Sequence, residues 1–269
     1  CVTNNHISSL HSPHVERVKA LLGPRGKKIR AVEKSFIADG IQSVREALHP
    51  RIELAPVVER LYLTDVGRER LIAGIDARLL DSVEISMVTD DVMNAMADTE
   101  SPQGILALCT HKEMSAYKLG KLEPKKIAYF WEIQDPGNSG TVIRTADACG
   151  FDAVAFSPRS VDLYSPKTVR STAGSLWHIP VFEEIELDEI IKLATDTGIE
   201  TYAFAGDGEE SLPRITPSHK ALLIFGNEAR GLPETPGAVR TSIPMKGFTE
   251  SLNVASAAAI AMYHFAGNI

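Results

Sequence analysis

The chain has 269 residues, 44% of them hydrophobic, which is enough apolar material for one large domain or two modest ones. Its 28 basic against 35 acidic residues give a formal net charge of -7, which excludes indiscriminate coating of a nucleic-acid backbone and leaves only a local basic patch for that work. Without a run of about eighteen apolar residues or a basic-apolar-small opening, neither membrane insertion nor secretion is expected; Cys1, Cys109 and Cys149 form no metal pattern and point to a reducing, cytoplasmic setting.

In chain order, a helix is expected from Pro13 to about Leu22, with Val15, Val18, Leu21 and Leu22 at helical spacing. The segment GPRGKKIRAVEKS then gathers Arg25, Lys27, Lys28, Arg30 and Lys34, the densest positive stretch of the chain. Such a run reads either as a solvated face or as a grip on phosphates. Strand FIADG follows, then a helix from about Ile41 to Leu48, a strand near VERLYLT and a helix after Gly67. Strand VEISMVT, a helix through Val92 and Met96, and strand ILALC complete a small α/β domain, residues 1–112. The polar HKEMSAYKLGKLEPKK supplies a linker over 113–124, with room for a short helix.

A second block, 125–269, opens with the apolar strand IAYFWEI and the loop QDPGNSG. Val142, Ile143, Ala146 and Cys149 then recur at helical spacing. Strand FDAVAFS, a helix from about Ser165 to Ser175, a helix from Leu187 to Thr195, and strands TYAFAG and ALLIFG continue the alternation. This order predicts a mostly parallel sheet covered on both faces, with ligands at the carboxyl ends of its strands.

Three polar, glycine-bearing loops stand where strands end: DPGNSG, GNEARGLP and PMKGFTESLN. Together they imply a composite site. None fits GxGxxG or GxxxxGK[ST], there is neither H-E-x-x-H nor a compact Cys/His cluster, and no G-x-S-x-G elbow occurs. No catalytic metal is expected. Asn138 and Asn227 read either as turn caps or as groups facing a ligand.

These blocks resemble the three signature motifs of the SpoU, or TrmH-type, RNA ribose methyltransferases of the knotted SPOUT superfamily. The first is DPGNSGTVIRTADACGFDAV, Asp135 to Val154; the second LIFGNEARGLP, Leu223 to Pro233; the third IPMKGFTESLNVASAAAIA, Ile243 to Ala261. The first half resembles, less sharply, the L30e-like substrate-binding domain of rRNA-modifying members. The chain has Asp39-Gly40 where the family more often has Glu-Gly, and Ala255-Ser256 where it has Ser-Val.

The resemblance implies an α/β trefoil-knot catalytic domain behind a smaller α/β RNA-binding domain, acting as a homodimer. It implies 2'-O-methylation of RNA by S-adenosylmethionine, with 23S rRNA the preferred substrate. A tRNA methyltransferase and a non-catalytic rRNA-binding or assembly protein of the same fold are the alternatives. Carried over residue by residue, the catalytic set is Arg144, Asn138, Glu228, Ser251 and Asn253, with Ser251 read equally as a helix N-cap. The cofactor would meet Ala203, Ala205 and Gly206, then Gly226 and Asn227, then Ile243, Met245, Ser251 and Leu252. Gly226, Gly231 and Gly247 would permit close backbone approach. RNA would be held by Arg25, Lys27, Lys28, Arg30, Lys34 and Arg144.

Overall fold

The computed structural model describes residues 5–267. Contacts divide the chain into two compact units, Cys1–Glu113 with Asp162–His178, and Met114–Val161 with Ile179–Ile269. The sequence reading ran the second block unbroken from 125, whereas the segment Asp162–His178 packs with the first unit.

The first unit comprises β1 (Asn5–Ile7), α1 (Pro13–Leu22), α2 (Gly26–Glu33), β2 (Ser35–Asp39), α3 (Ile41–Leu48), β3 (Val57–Leu63), α4 (Asp65–Ile72), β4 (Glu84–Val88), α5 (Asp90–Met96) and β5 (Ile105–Thr110). Its sheet runs β1-β4-β3-β5-β2 and is mixed, with β5 antiparallel to both β3 and β2. Helix α1 begins where Ser12 accepts the His14 N–H and Pro13 presets the first turn. Its buried Val15, Val18 and Leu21 join Ile37, Tyr62, Val92 and Leu106 in one apolar core. The basic stretch, for which no element was expected, is helix α2.

The segment from Asp162 returns to this unit for identifiable reasons. Tyr164 stacks on His111 at 3.9 Å and packs against Phe36 at 4.8 Å, and burial pushes the His111 pKa down to about 4. Trp177 is fully buried and its indole N–H donates to the Pro56 carbonyl at 3.1 Å. Arg30 holds Asp162 through Nε at 2.9 Å and Nη2 at 2.6 Å. That ion pair corrects the sequence reading: Arg30 is buried, with a side chain 7% exposed, and is a structural tie that presents no charge to RNA. Arg25, Lys27, Lys28 and Lys34 remain exposed around it.

The second unit contains α6 (Ala116–Lys121), β6 (Lys126–Phe130), α7 (Pro136–Ala148) and β7 (Ala153–Phe156); α8 (Pro166–Ser171) belongs to the excursion into the first unit. After it come β8 (Val181–Phe182), α9 (Leu187–Thr197), β9 (Glu200–Phe204), β10 (Glu210–Ser211), β11 (Ala221–Phe225), β12 (Val239–Ser242) and α10 (Val254–Ala266). The sheet order is β10-β12-β9-β11-β6-β7-β8, and each described pairing is parallel. The edge strands β8 and β10, and β12 next to β10, are short or polar, so apolar patterning did not flag them.

Four neighbouring strands of this sheet end on phenylalanine: Phe156, Phe130, Phe225 and Phe204 lie in register across β7, β6, β11 and β9. Their rings stack in sequence at 5.5, 5.2 and 4.8 Å. Each such pair contributes about 0.5–1.5 kcal/mol beyond area burial. The row makes a rigid apolar floor, and the polar loops that follow each strand start from it.

Candidate active site

A pocket of about 410 Å³ lies at the carboxyl ends of β9, β11 and β12. This size suits a small organic ligand. The loop after β9 contributes Ala205 and Gly206 beside Phe204, and the loop after β11 contributes Gly226, Asn227 and Glu228. The chain after β12 adds Ile243, Met245, Ser251, Leu252 and Asn253. Ala203 does not reach it: the residue is buried inside β9, paired with Ile224 and Arg240, and the pocket begins one residue later.

The loop after β11 is locked from within. Asn227 Oδ1 accepts the N–H groups of Ala229 at 2.9 Å and Arg230 at 3.0 Å, and Asn227 and Gly231 exchange backbone hydrogen bonds. The asparagine side chain thus serves the turn, as in the plainer of its two sequence readings, while the residue still lines the pocket. A Cβ on Gly226 would sit 2.5 Å from the Gly231 carbonyl carbon and 2.8 Å from the Leu232 nitrogen, so no side chain fits there. Gly231 adopts φ +68, the left-handed region that favours glycine. Gly247 shows neither constraint, with open space around its Cβ position and no positive φ.

The first turn of helix α7 does not line this pocket but is bonded to two residues that do, Glu228 and Asn253. The Asp135 carboxylate caps it by accepting the Asn138 N–H at 2.8 Å, and Pro136 presets the first turn. The Asn138 side chain then bridges two loops: its Nδ2 donates to Glu228 Oε1 at 3.0 Å, and its Oδ1 accepts from Asn253 Nδ2 at 3.2 Å. Asn253 Oδ1 in turn accepts the Ala255 and Ser256 N–H groups, which makes Asn253 the N-cap of α10. A carboxylate only accepts and a backbone N–H only donates, so both amide orientations are fixed. Ser251 is therefore not the cap; it is exposed on the pocket wall.

Arg144 follows Asn138 by six residues on α7, about 9 Å along a helix rising 1.5 Å per residue. Its side chain is exposed, makes no hydrogen bond or ion pair with a described residue, and does not line the pocket. Helix α10, capped by Asn253, packs on α7 and β11. Small residues at Ala255, Ala258 and Ala261 are its buried contacts, with Met262 and Phe265 beyond.

The sequence reading missed Glu132. This carboxylate is fully buried at the end of β6 and binds both Arg159, after β7, and Arg230, in the loop after β11. Its carbonyl accepts from Asn227 Nδ2 at 2.8 Å and Gln134 Nε2 at 3.0 Å. An acid immediately after an apolar strand, FWE, was the available signal, as was the repeated terminal phenylalanine in AYF, VAF, YAF and LIF.

Among the described residues no group of three or more His, Cys, Asp or Glu is placed to hold a metal ion, and no helix is long and apolar enough to cross a membrane.

Comparison with known proteins agrees with this architecture. Residues 125–263 match the SpoU rRNA Methylase family, and residues 15–107 match the MRM3-like substrate binding domain. The 23S rRNA (guanosine(2553)-2'-O)-methyltransferase RlmP of Bacillus subtilis is 33% identical, over 97% of this chain and 100% of that protein. The 23S rRNA (uridine(2479)-2'-O)-methyltransferase of Streptomyces viridochromogenes is 31% identical, over 91% and 86%. The crystal structure of an AdoMet-bound rRNA methyltransferase from Sinorhizobium meliloti superposes with a TM-score of 0.81 at 28% identity, covering 97% of this chain and 96% of that one. The three loops that meet at Asn138, the parallel sheet beneath them and the matched span of 125–263 lead to one conclusion: the chain belongs to the SpoU rRNA methylase family, with the knotted SPOUT fold.

Proposed function

We propose that this RNA 2'-O-methyltransferase transfers the methyl group of S-adenosylmethionine to a ribose 2'-hydroxyl of large-subunit rRNA, as a cytoplasmic homodimer. The observation that carries the reading is the chain Glu228–Asn138–Asn253, which closes all three motif loops at one pocket. The pocket fits the cofactor: it is walled by glycine and backbone at Gly206 and Gly226, where an added Cβ at Gly226 would collide with the opposite strand of the loop. Phe204 and Leu252 give it an apolar side.

S-adenosylmethionine, bound there, supplies an electrophilic methyl carbon on a sulfonium that leaves as a neutral thioether. The ribose oxygen gains the methyl group and passes its proton to water. The protein aligns that oxygen and favours its negative charge. A guanidinium has no acceptor to offer, so the part of Arg144 is to grip phosphate and stabilise the emerging alkoxide. Asn138 and Asn253 hold the loops that carry Glu228 and Ser251 in place.

The exposed Arg25, Lys27, Lys28 and Lys34 supply a phosphate-binding face despite the acidic total. RNA rather than DNA follows from the accepting hydroxyl. Homodimerisation is supported by Ile260 and Tyr263, large side chains left exposed on α10, the helix packed against α7.

Substituting Arg144→Ala tests the assignment with unmodified rRNA transcripts and labelled cofactor. The expected kcat loss is about 10²–10³-fold, with cofactor affinity largely kept. Absence of methyl transfer by the wild-type protein, or full activity in the variant, overturns it.

A further inference from the structure

Arg159 and Arg230 share the two carboxylate oxygens of the buried Glu132: Arg159 reaches Oε1 through Nε and Nη2, and Arg230 reaches Oε2 through Nη2. The acid side chain is 0% exposed, while those of the arginines are 77% and 61% exposed. Two positive groups thus sit on one negative group, and the cluster carries an excess positive charge at the surface. Arg159 Nη1, and Arg230 Nε and Nη1, have no hydrogen-bond partner among the described residues.

Their position is set from several directions. Gln134 Nε2 donates to the Arg159 carbonyl at 2.8 Å, Trp131 lies 5.7 Å from the Arg230 guanidinium, and Asn227 folds the turn that carries Arg230. The nearest acid in that turn, Glu228, is occupied with Asn138. The cluster joins the carboxyl ends of β7, β6 and β11, and the cofactor pocket continues from β11 along the same edge of the sheet.

We infer that Arg159 and Arg230 form a preorganised phosphate-binding pair that holds the RNA strand flanking the target ribose. A guanidinium already fixed by a buried carboxylate loses little freedom when its outward N–H groups take a phosphate oxygen. A purely structural clamp would bury the forks that this one leaves open. The inference rests on the RNA-methylating reading of the adjoining pocket.

The test uses Arg159→Gln, Arg230→Gln and the double variant, which remove charge but keep an amide donor for Glu132. RNA affinity is measured by titration across a potassium chloride series, independently of turnover. Each single variant should make the log affinity against log salt slope shallower by about 0.7–0.9, the value of one lost phosphate contact. The KM for RNA should rise several-fold while kcat at saturating RNA and the cofactor Kd hold. An unchanged slope overturns the inference, as does a parallel loss of cofactor affinity or of the dimer, either of which marks the pair as a strut. If the wild-type protein binds rRNA with this salt response but transfers no methyl group, the functional reading fails and the phosphate pair stands.

Discussion

The loop after β11 and the stretch after β12 face the same pocket but are held in different ways. In the first, Gly226 to Gly231 are pinned by the Asn227 turn and by the paired backbone groups of Asn227 and Gly231. In the second, Pro244 to Ser251 are exposed, with a hydrogen bond from the Thr249 hydroxyl to the Ser251 carbonyl, and the next side chain tied to another loop is that of Asn253. The difference assigns the two loops separate tasks. A wall built from internal bonds is expected to keep its shape without a ligand, while an exposed wall with few internal bonds is expected to respond to what binds there.

Substitutions can break or sharpen that contrast. The largest effect is expected from Gly226→Ala, because the new methyl group meets backbone that cannot swing away. Overpacking of this kind costs about 1–3 kcal/mol, read by denaturant unfolding, and the cofactor Kd should rise more than about tenfold as the loop shifts. Asn253→Ala comes next. Removing an N-cap costs about 0.5–2 kcal/mol, and the variant also frees Asn138 Oδ1, so kcat should fall further than the stability loss explains. Gly247→Ala is the smallest: with open space at the Cβ position, stability should stay within about 0.5 kcal/mol of the parent. A large loss there would mean that the third loop is as tightly built as the second.

Two arginines show how far residue type and neighbourhood can be trusted. Arg30 and Arg144 both looked like RNA contacts. The structure buries Arg30 against Asp162, which lies 132 residues away, and leaves Arg144 exposed on α7. Nothing within GPRGKKIRAVEKS distinguishes Arg30 from Lys28, since the helix formed there is short and its inward face depends on what packs against it. Ser251 and Asn253 teach the same lesson at close range. Both are cap-forming residues before an apolar run, and backbone geometry gives the role to Asn253.

The sequence by itself determined the alternation of strands and helices and the strands β6 and β11 that carry the first two site loops, because hydrophobic period, turn chemistry and loop composition act over a few neighbouring positions, while the motif residues came from the family resemblance. Only the tertiary structure decided that Asn138 meets Glu228 and Asn253, separations of 90 and 115 residues, that Asp162–His178 packs with the first unit, and that one buried carboxylate organises two arginines. Such pairings follow from which surfaces the folded chain brings together and desolvates, and local pattern carries no record of a partner that far away.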